Sequence, residues 1–320
     1  MTPHAPAAPR PDAAHSPGRL ERLLRAGMFV VTAETTPPLS ADPAAVLERA
    51  GCLRGKADAV NVTDGAGARA HLSSLAAAAV LARDGVEPVL QFTMRDRNRL
   101  ALEADLLGAA ALGVPNILCL RGDDMAGGDQ PDAKMVHDLD SHELIALARG
   151  MRDDAALPSG RKVAVPPALF IGGADAPLDP PPDWRPDKLN AKIDAGADFF
   201  QTQFCFDIGV ARRYMARLVD CGVTERAHFL IGIGPIASLK SARWMHDNLW
   251  GVEIPPAIFA RLERASDERA EGHKICIELM QQLRDIPGVA GVHLMGPRVE
   301  RAAGEVIEAS GLLRDRPVLA

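Results

Sequence analysis

Six polar side chains stand at the C-terminal ends of predicted β-strands, where they could act together. They are Glu34, Asp64, Asp96, Asp123, Asp175 and Gln203. Carboxyl and amide groups that share one mouth can bind polar substrates and transfer protons. An aspartate at a strand end is also a common helix N-cap, because its carboxylate accepts hydrogen bonds from free backbone N–H groups. We expect such structural contacts at Asp64, Asp96, Asp124 and Asp175.

Glu34 is the strongest candidate for catalysis. It lies inside the apolar pattern VVTAET, where a carboxylate is costly to bury unless it has a partner or a role. Apolar surroundings raise the pKa of a carboxyl group and keep it protonated near neutral pH, as a general acid requires. The alternative is a structural carboxylate bonded to backbone amides or to an arginine. We interpret Glu34 as a general acid.

Eight short apolar and β-branched runs must position these side chains, and longer helical patterns separate them. The runs are residues 27–35, 57–64, 87–96, 115–123, 168–175, 197–204, 228–236 and 289–295. This alternation is typical of βα units with a parallel sheet. Eight units favour an α/β fold of the (β/α)8 TIM-barrel type, with its active site at the C-terminal ends of the strands. An open doubly wound sheet is the alternative, although no helix-opening GxGxxG follows the first run.

Four segments depart from the simple repeat. Residues 1–18 are rich in Ala and Pro and lack the apolar core of a signal peptide, so we predict a disordered arm there. Residues 19–320 are predicted to form a single catalytic barrel domain, in which 237–285 adds extra helices near the C-terminus. The stretches 122–141 and 173–188 follow strand ends, and long loops inside a compact domain are usually functional.

Composition narrows the classes of partner. A formal net charge of -6 argues against nucleic-acid binding, which normally needs a basic face. The five scattered cysteines contain no CxxC pair, so they fit neither a disulfide framework nor a zinc or iron-sulfur site, and we predict no metal. No run of 18 apolar residues indicates a membrane span. We expect a cytoplasmic protein that acts on small molecules.

Four motifs together resemble the methylenetetrahydrofolate reductase family, in its short bacterial type with a single catalytic barrel. They are TAETTPP at 32–38, FTMRDRN through LRGDD at 92–124, LNAKIDAGADFFQTQFCFD at 189–207, and IGIGPI at 231–236. They occur in the family order, and the resemblance spans about residues 28–312. The AGADFFQTQFCFD string combined with RDRN and RGDD makes it specific.

The resemblance implies a redox reaction on folate. In this family, NADH or NADPH reduces a bound flavin, and the reduced flavin then converts 5,10-methylenetetrahydrofolate to 5-methyltetrahydrofolate in ping-pong order. Glu34 matches the general acid that protonates N10 so that the five-membered ring opens. Asp123 matches a second catalytic residue, which lies beside both flavin and pterin. The implied cofactor is FAD, with FMN as the variant.

The resemblance also assigns binding residues. Those on the flavin side are Thr63, Gln91, Leu120, Arg121, Gly122, Asp123 and Lys192. Those on the substrate side are Gln203, Leu239 and Arg298. Gly122 would allow a close backbone approach to the flavin, and a tight turn after the strand is its alternative. Lys192 would contact the FAD phosphates, and a solvated helix lysine is its alternative.

Several positions depart from the family pattern and leave the source of electrons open. Gln91 stands where many relatives have a histidine, Ala191 where some have an arginine, and Leu239 where an aromatic ring stacks on nicotinamide. The 173–188 loop lacks the usual Tyr and His. The sequence therefore leaves open a partner-dependent reductase with an iron-sulfur electron-donor subunit, a flavin-independent reductase, a non-catalytic folate- or flavin-binding barrel and a barrel methyltransferase. It also leaves open a homo-oligomer.

Overall fold

The computed structural model describes residues 13–314 and contains a closed barrel of eight parallel strands. The strands are β1 (Val30–Thr35), β2 (Ala59–Val62), β3 (Pro88–Thr93), β4 (Asn116–Leu120), β5 (Phe170–Asp175), β6 (Phe199–Phe204), β7 (His228–Ile233) and β8 (Val289–Leu294). Each strand pairs with the next along the chain, and β8 closes the barrel on β1. The predicted (β/α)8 fold is therefore confirmed, and each observed strand lies inside its predicted run.

Helices surround the barrel and precede or follow the strands. They are α1 (Arg19–Arg25), α2 (Pro43–Ala50), α3 (Ser74–Arg83), α4 (Arg99–Ala111), α5 (Ser141–Asp153), α6 (Asp187–Ala195), α7 (Ile208–Asp220), α8 (Leu239–Asn248), α9 (Pro256–Arg264), α10 (Glu268–Arg284) and α11 (Glu300–Ser310). The extra helices predicted in 237–285 are confirmed as α8, α9 and α10. Short polar side chains cap many of the helix starts, as Asn98 does for α4 and Asp140 for α5.

The bottom of the barrel is closed by α1. Leu20, Leu23 and Leu24 pack in one buried cluster with the first inward-facing residues of the strands, among them Phe170 and Phe199. Gly172 makes room for this layer, since a Cβ there would lie 2.4 Å from the Phe199 ring. The apolar floor leaves the opposite, C-terminal end of the barrel as the open one.

The predicted disordered arm is only partly inside the described residues. His15 Nδ1 lies 2.8 Å from a carboxylate oxygen of Asp198, and the Ser16 hydroxyl donates to buried Glu21. These polar contacts, which composition does not reveal, tie residues 15 and 16 to the floor of the barrel, and the disordered arm stays a prediction. Residues 1–12 and 315–320 lie outside the described residues. Within residues 13–314, no helix is long and apolar enough to cross a membrane.

Candidate active site

A cavity of about 1210 Å³ opens at the C-terminal end of the barrel. It is larger than the usual small-molecule pocket of about 300–1,000 Å³. Its walls include Glu34 from β1, Gln91 from β3, Asp123 after β4, Lys192 from α6 and Gln203 from β6. The barrel thus brings together five of the side chains predicted from the sequence. Leu120 also lines it.

Glu34 lies at the inner end of this cavity with 17% of its side chain exposed. Gln91 Nε2 donates a hydrogen bond of 3.0 Å to Glu34 Oε2. Burial raises the pKa of Glu34 to about 7, and the nearby carboxylates of Glu300 and Asp123 act in the same direction, while the bond from Gln91 opposes them. Glu34 is therefore substantially protonated at neutral pH, as a general acid must be.

Asp123 is held at the rim by contacts between two loops. Its Oδ2 accepts a hydrogen bond of 2.6 Å from the backbone N–H of Gly67, in the loop after β2. The guanidinium of Arg95 donates to the carbonyl oxygens of both Gly65 and Asp123, each at 3.2 Å. Arg95 itself is only 3% exposed. The first arginine of the RDRN motif therefore fixes the position of Asp123.

Lys192 reaches the cavity from the side of β5. Its Nζ donates a hydrogen bond of 2.6 Å to the carbonyl of Ala174, and burial lowers its pKa. Asp175 lies beside it and accepts a short hydrogen bond from the Tyr214 hydroxyl, while burial raises the pKa of Asp175. A half-buried lysine whose Nζ lies within the cavity wall differs from the solvated helix lysine that was its alternative. This corner can hold an anionic group of a ligand.

Gln203 lines the cavity near the end of β6, and its side-chain oxygen accepts a hydrogen bond of 3.0 Å from the backbone N–H of Phe204. No hydrogen bond of its side-chain amide N–H₂ group is present among the contacts of the described residues. An amide that both donates and accepts can bind two different ligands in turn.

Five residues assigned by the resemblance do not line the cavity. They are Thr63, Arg121, Gly122, Leu239 and Arg298. Leu239 packs against the hydrophobic core at the first turn of α8. Arg298 is exposed and has a positive φ of 54° after β8. Thr63 is 2% exposed, and its hydroxyl oxygen has no hydrogen-bond partner.

The protein structure itself explains why position 122 is a glycine. Its φ is +89°, and an added Cβ would lie 2.8 Å from the Cβ of Arg95. The close approach that the sequence assigned to a flavin is thus already required by Arg95. The alternative of a tight turn fits this geometry.

We expect Gly122→Ala to lower the free energy of unfolding by about 1–3 kcal/mol, because it adds a contact to a strained backbone conformation. Gly113→Ala is the matched control, since Gly113 has a similar φ of +78° but no atom within 4 Å of an added Cβ. Urea unfolding of both variants separates the cost of a side chain at positive φ from the cost of the contact with Arg95. Equal losses would show that the contact with Arg95 does not matter.

The structural contacts expected at the strand-end aspartates are confirmed at three positions. Asp64 accepts hydrogen bonds from Thr93 and Arg97; burial acts to raise its pKa, but the Arg97 guanidinium and Thr93 hold it below the usual range. Asp96 binds Arg95, and Asp124 caps a short 3-10 turn. Asp175 instead belongs to the cavity wall.

Several residues of the cavity wall were missed in the sequence, among them Gln201, His293 and Trp250. Gln201 and His293 point into the barrel from β6 and β8, and the two-residue period from Gln203 could have indicated Gln201. Trp250, which is 73% exposed, lies in the irregular segment after α8, where no periodic pattern marks it. It offers an aromatic face at the mouth that Leu239 does not.

The residues present fit a flavin in part. Leu120, Gln91, Asp123 and Lys192 supply apolar contact, hydrogen bonds and a cation along one continuous cavity. Among residues 13–314, no group of three His, Cys, Asp or Glu side chains is arranged to hold a metal ion.

Solved structures show the same fold. A protein from Clostridium thermocellum, described as binding two copies of 5-methyl-5,6,7,8-tetrahydrofolic acid, aligns over 92% of this chain and 99% of its own with a TM-score of 0.56. The sequences are 14% identical, so this likeness concerns the fold alone.

Relatives similar in sequence carry the name methylenetetrahydrofolate reductase. A probable methylenetetrahydrofolate reductase (NADPH) of Caenorhabditis elegans is 29% identical over 248 residues, which are 75% of this chain and 34% of the relative. The 5,10-methylenetetrahydrofolate reductase of Escherichia coli is 28% identical over 163 residues, 51% of this chain and 48% of the relative. The chain thus matches between about a third and a half of the length of these relatives.

The family assignment follows from a match along most of the chain. The family model described as methylenetetrahydrofolate reductase matches residues 19–311. That range contains all eight strands and the whole cavity wall. The chain belongs to the methylenetetrahydrofolate reductase family.

Proposed function

We propose that this chain reduces 5,10-methylenetetrahydrofolate to 5-methyltetrahydrofolate, with a bound flavin and with NADH or NADPH as the electron source. The single observation that carries the proposal is a carboxyl group at the inner end of the cavity whose pKa is raised to about 7. Pure binding of a folate needs no such acid, whereas opening the five-membered ring requires a proton on N10.

Glu34 gives this proton to N10 of the substrate. The transfer leaves a carboxylate on Glu34 and a ring-opened cation on the folate, which accepts the hydride. A bound reduced flavin would supply that hydride. Because Gln91 donates to Glu34 Oε2, it orients the carboxyl group and stabilises the charge that the transfer leaves behind.

Asp123 orients the substrate. Its carboxylate can accept two hydrogen bonds from the 2-amino group and ring N–H of a pterin, which fixes the plane of the ring. Gln203 offers a further polar contact, and its dual character suits alternating contact with folate and nicotinamide. Orientation of this kind lowers the entropic part of the barrier.

Lys192 and Leu120 hold the cofactor in this proposal. The Nζ of Lys192 lies at the corner near Asp175, where a cofactor phosphate would meet a cation. FAD would extend along the part of the cavity wall that the 176–188 loop forms, and FMN would be the shorter variant. The tetrahydrofolate described for the Clostridium thermocellum barrel is consistent with a folate in the same type of fold.

Anaerobic spectroscopy of the two half-reactions tests the proposal. The purified protein is mixed with FAD or FMN, bleached with NADH or NADPH, and then given methylenetetrahydrofolate. We expect bleaching followed by folate-dependent recovery of the flavin absorbance. A protein that binds no flavin and still does not reduce folate would contradict the proposal, and flavin-free turnover would indicate the flavin-independent reductase.

A partner-dependent reductase is the second candidate. Leu239 packs against the core and does not line the cavity, so an aromatic contact for nicotinamide is absent at that position. In this case flavin binds but NADH and NADPH fail to bleach it, and an iron-sulfur donor subunit restores the reaction.

A cytoplasmic location remains part of the proposal, and the five unpaired cysteines are consistent with it.

A further inference from the structure

A buried polar layer lies inside the barrel directly beneath Glu34. It consists of Thr32 on β1, Asn61 on β2, Gln201 on β6 and His293 on β8, each at most 3% exposed. Thr32 and Glu34 are two residues apart on the same strand and therefore face the same interior. Buried polar groups of this kind are expensive unless they are bonded to one another, so the direction of each bond matters.

The two amides fix the first part of a directed chain. Asn61 Nδ2 donates to Gln201 Oε1, and Gln201 Nε2 donates in return to Asn61 Oδ1 at 3.0 Å. The same Gln201 nitrogen donates to Thr32 Oγ1 at 3.1 Å. Because an amide nitrogen carries two hydrogens, these two shorter bonds use both, and the 3.5 Å approach of the same nitrogen to His293 Nδ1 is the weaker contact.

Thr32 continues the chain of hydrogen bonds from Gln201 to His293 in the same direction. Its hydroxyl accepts from Gln201, so its own hydrogen is free to be donated. His293 Nδ1 lies 2.9 Å from Thr32 Oγ1, whereas the carbonyl of Val292 is 3.5 Å away and is the poorer acceptor. A hydroxyl that donates to Nδ1 leaves that nitrogen without a proton, so in a neutral ring the proton is on Nε2.

The protonated nitrogen faces the general acid. His293 Nε2 is 4.0 Å from Glu34 Oε2, and burial lowers the pKa of His293 to about 3, so the ring is neutral at pH 7. The other groups around Glu34 are Gln91 as a donor, the backbone of Gly296, and the carboxylates of Glu300 and Asp123. His293 Nε2–H thus lies beside the carboxyl group, but at 4.0 Å it does not yet donate a hydrogen bond to it.

We propose that His293 is a positioning residue whose Nε2–H, oriented by Thr32 and Gln201, stabilises the Glu34 carboxylate after Glu34 has given up its proton. The proton moves from Glu34 to N10 of the folate, and no proton leaves His293. A movement of about 1 Å closes the gap to hydrogen-bond distance. The inference rests on the proposed role of Glu34, but its first two tests use the protein without folate.

The first test is nitrogen-15 NMR of histidine-labelled wild-type protein, in which the His293 signal is assigned by its loss in His293→Asn. We expect a neutral ring with the proton on Nε2 between pH 6 and 8. A proton on Nδ1 would mean that the chain runs in the reverse direction, and a charged ring would mean that the layer does not exclude ionisation. Either result overturns the proposal.

The second test compares two amides in place of His293. Gln at this position can place an N–H near the Nε2 site, whereas Asn places its amide near Nδ1 and leaves Glu34 without the donor. Carbon-13 NMR of labelled glutamate, assigned with Glu34→Gln, follows the ionisation of Glu34. We expect its pKa to rise by about one unit in His293→Asn and to stay near the wild-type value in His293→Gln. Equal values in both variants overturn the proposal.

The pH dependence of the rate is a third measurement, and a purely structural role of His293 would not change it. In His293→Asn, the folate half-reaction should slow by about tenfold, and the pH at which its rate begins to fall should move upward, because the carboxylate is less stabilised. A slower rate without this shift contradicts the proposal. Should both His293 variants fail to fold, the wild-type His293 signal is assigned instead by its shift in Thr32→Val, which removes the hydroxyl beside Nδ1, and the tautomer then decides the matter.

Discussion

We expect Glu34→Gln to slow the folate half-reaction by about 10²- to 10⁴-fold and to leave reduction of the flavin by the nicotinamide within a few fold of wild type. The expected magnitude is that of a lost general acid. Glutamine keeps the size of the side chain and can still pair with Gln91, so binding changes little. Stopped-flow measurement of each half-reaction separates the two effects.

Glu300→Gln is the matched control for this prediction. Glu300 is another carboxylate near Glu34, is 7% exposed and accepts a hydrogen bond from Thr35, which a glutamine oxygen can also accept. It does not line the cavity. A Glu34→Gln enzyme that reduces folate at the wild-type rate, or a Glu300→Gln enzyme that is equally impaired, would refute the role of Glu34.

The raised pKa of Glu34 also predicts how rate and stability depend on pH. Only the protonated form can act as the acid, so the folate half-reaction slows as pH rises through about 7. The folded state holds this proton more tightly than an unfolded chain, whose carboxyl pKa is 4.5. This contribution to the free energy of unfolding is fully present below pH 4.5 and is lost as pH rises through 7. The loss amounts to about 3 kcal/mol, and Glu34→Gln should not show it.

The sequence predicts the barrel well because its signals are local. A strand buried on both faces needs a continuous apolar run, such as HFLIGI in β7, and the eight runs fix the strand count and the mouth where the polar residues meet. Glu34 is identifiable for the same reason, as a carboxylate that interrupts such a run. The order and spacing of strands then place Asp123, Gln203 and Lys192 on one cavity.

Contacts between distant segments explain what the sequence does not predict. The role of Arg95 depends on two loops that are 58 residues apart at Gly65 and Asp123, and the anchoring of His15 depends on Asp198. Trp250 reaches the mouth from a segment without periodicity. Hydrogen-bond direction in the layer beneath Glu34 requires all four side chains at once, so no single motif contains it.

Arg95 is the residue outside the cavity whose replacement we expect to have the largest effect on the reaction. Its guanidinium binds Asp96 through two nitrogens, at 2.8 and 2.7 Å, and donates to Gly65 and Asp123 in the same plane. Lysine keeps the charge but loses this fork of donors. The partly buried carbonyl oxygens of Gly65 and Asp123 then lose this donor, at a cost of about 1 kcal/mol in the free energy of unfolding.

Arg95→Lys should therefore lower kcat/KM for methylenetetrahydrofolate by about 10²-fold, since a shift of about 1 Å in Asp123 is enough for a loss of that size. Arg99→Lys is the control, because Arg99 belongs to the same motif region but pairs with Asp138 at an exposed position. Steady-state kinetics and urea unfolding of both variants give the comparison. If Arg95→Lys lost stability but kept its affinity for folate and its rate, Asp123 would not depend on Arg95, and the loop contacts would serve folding alone.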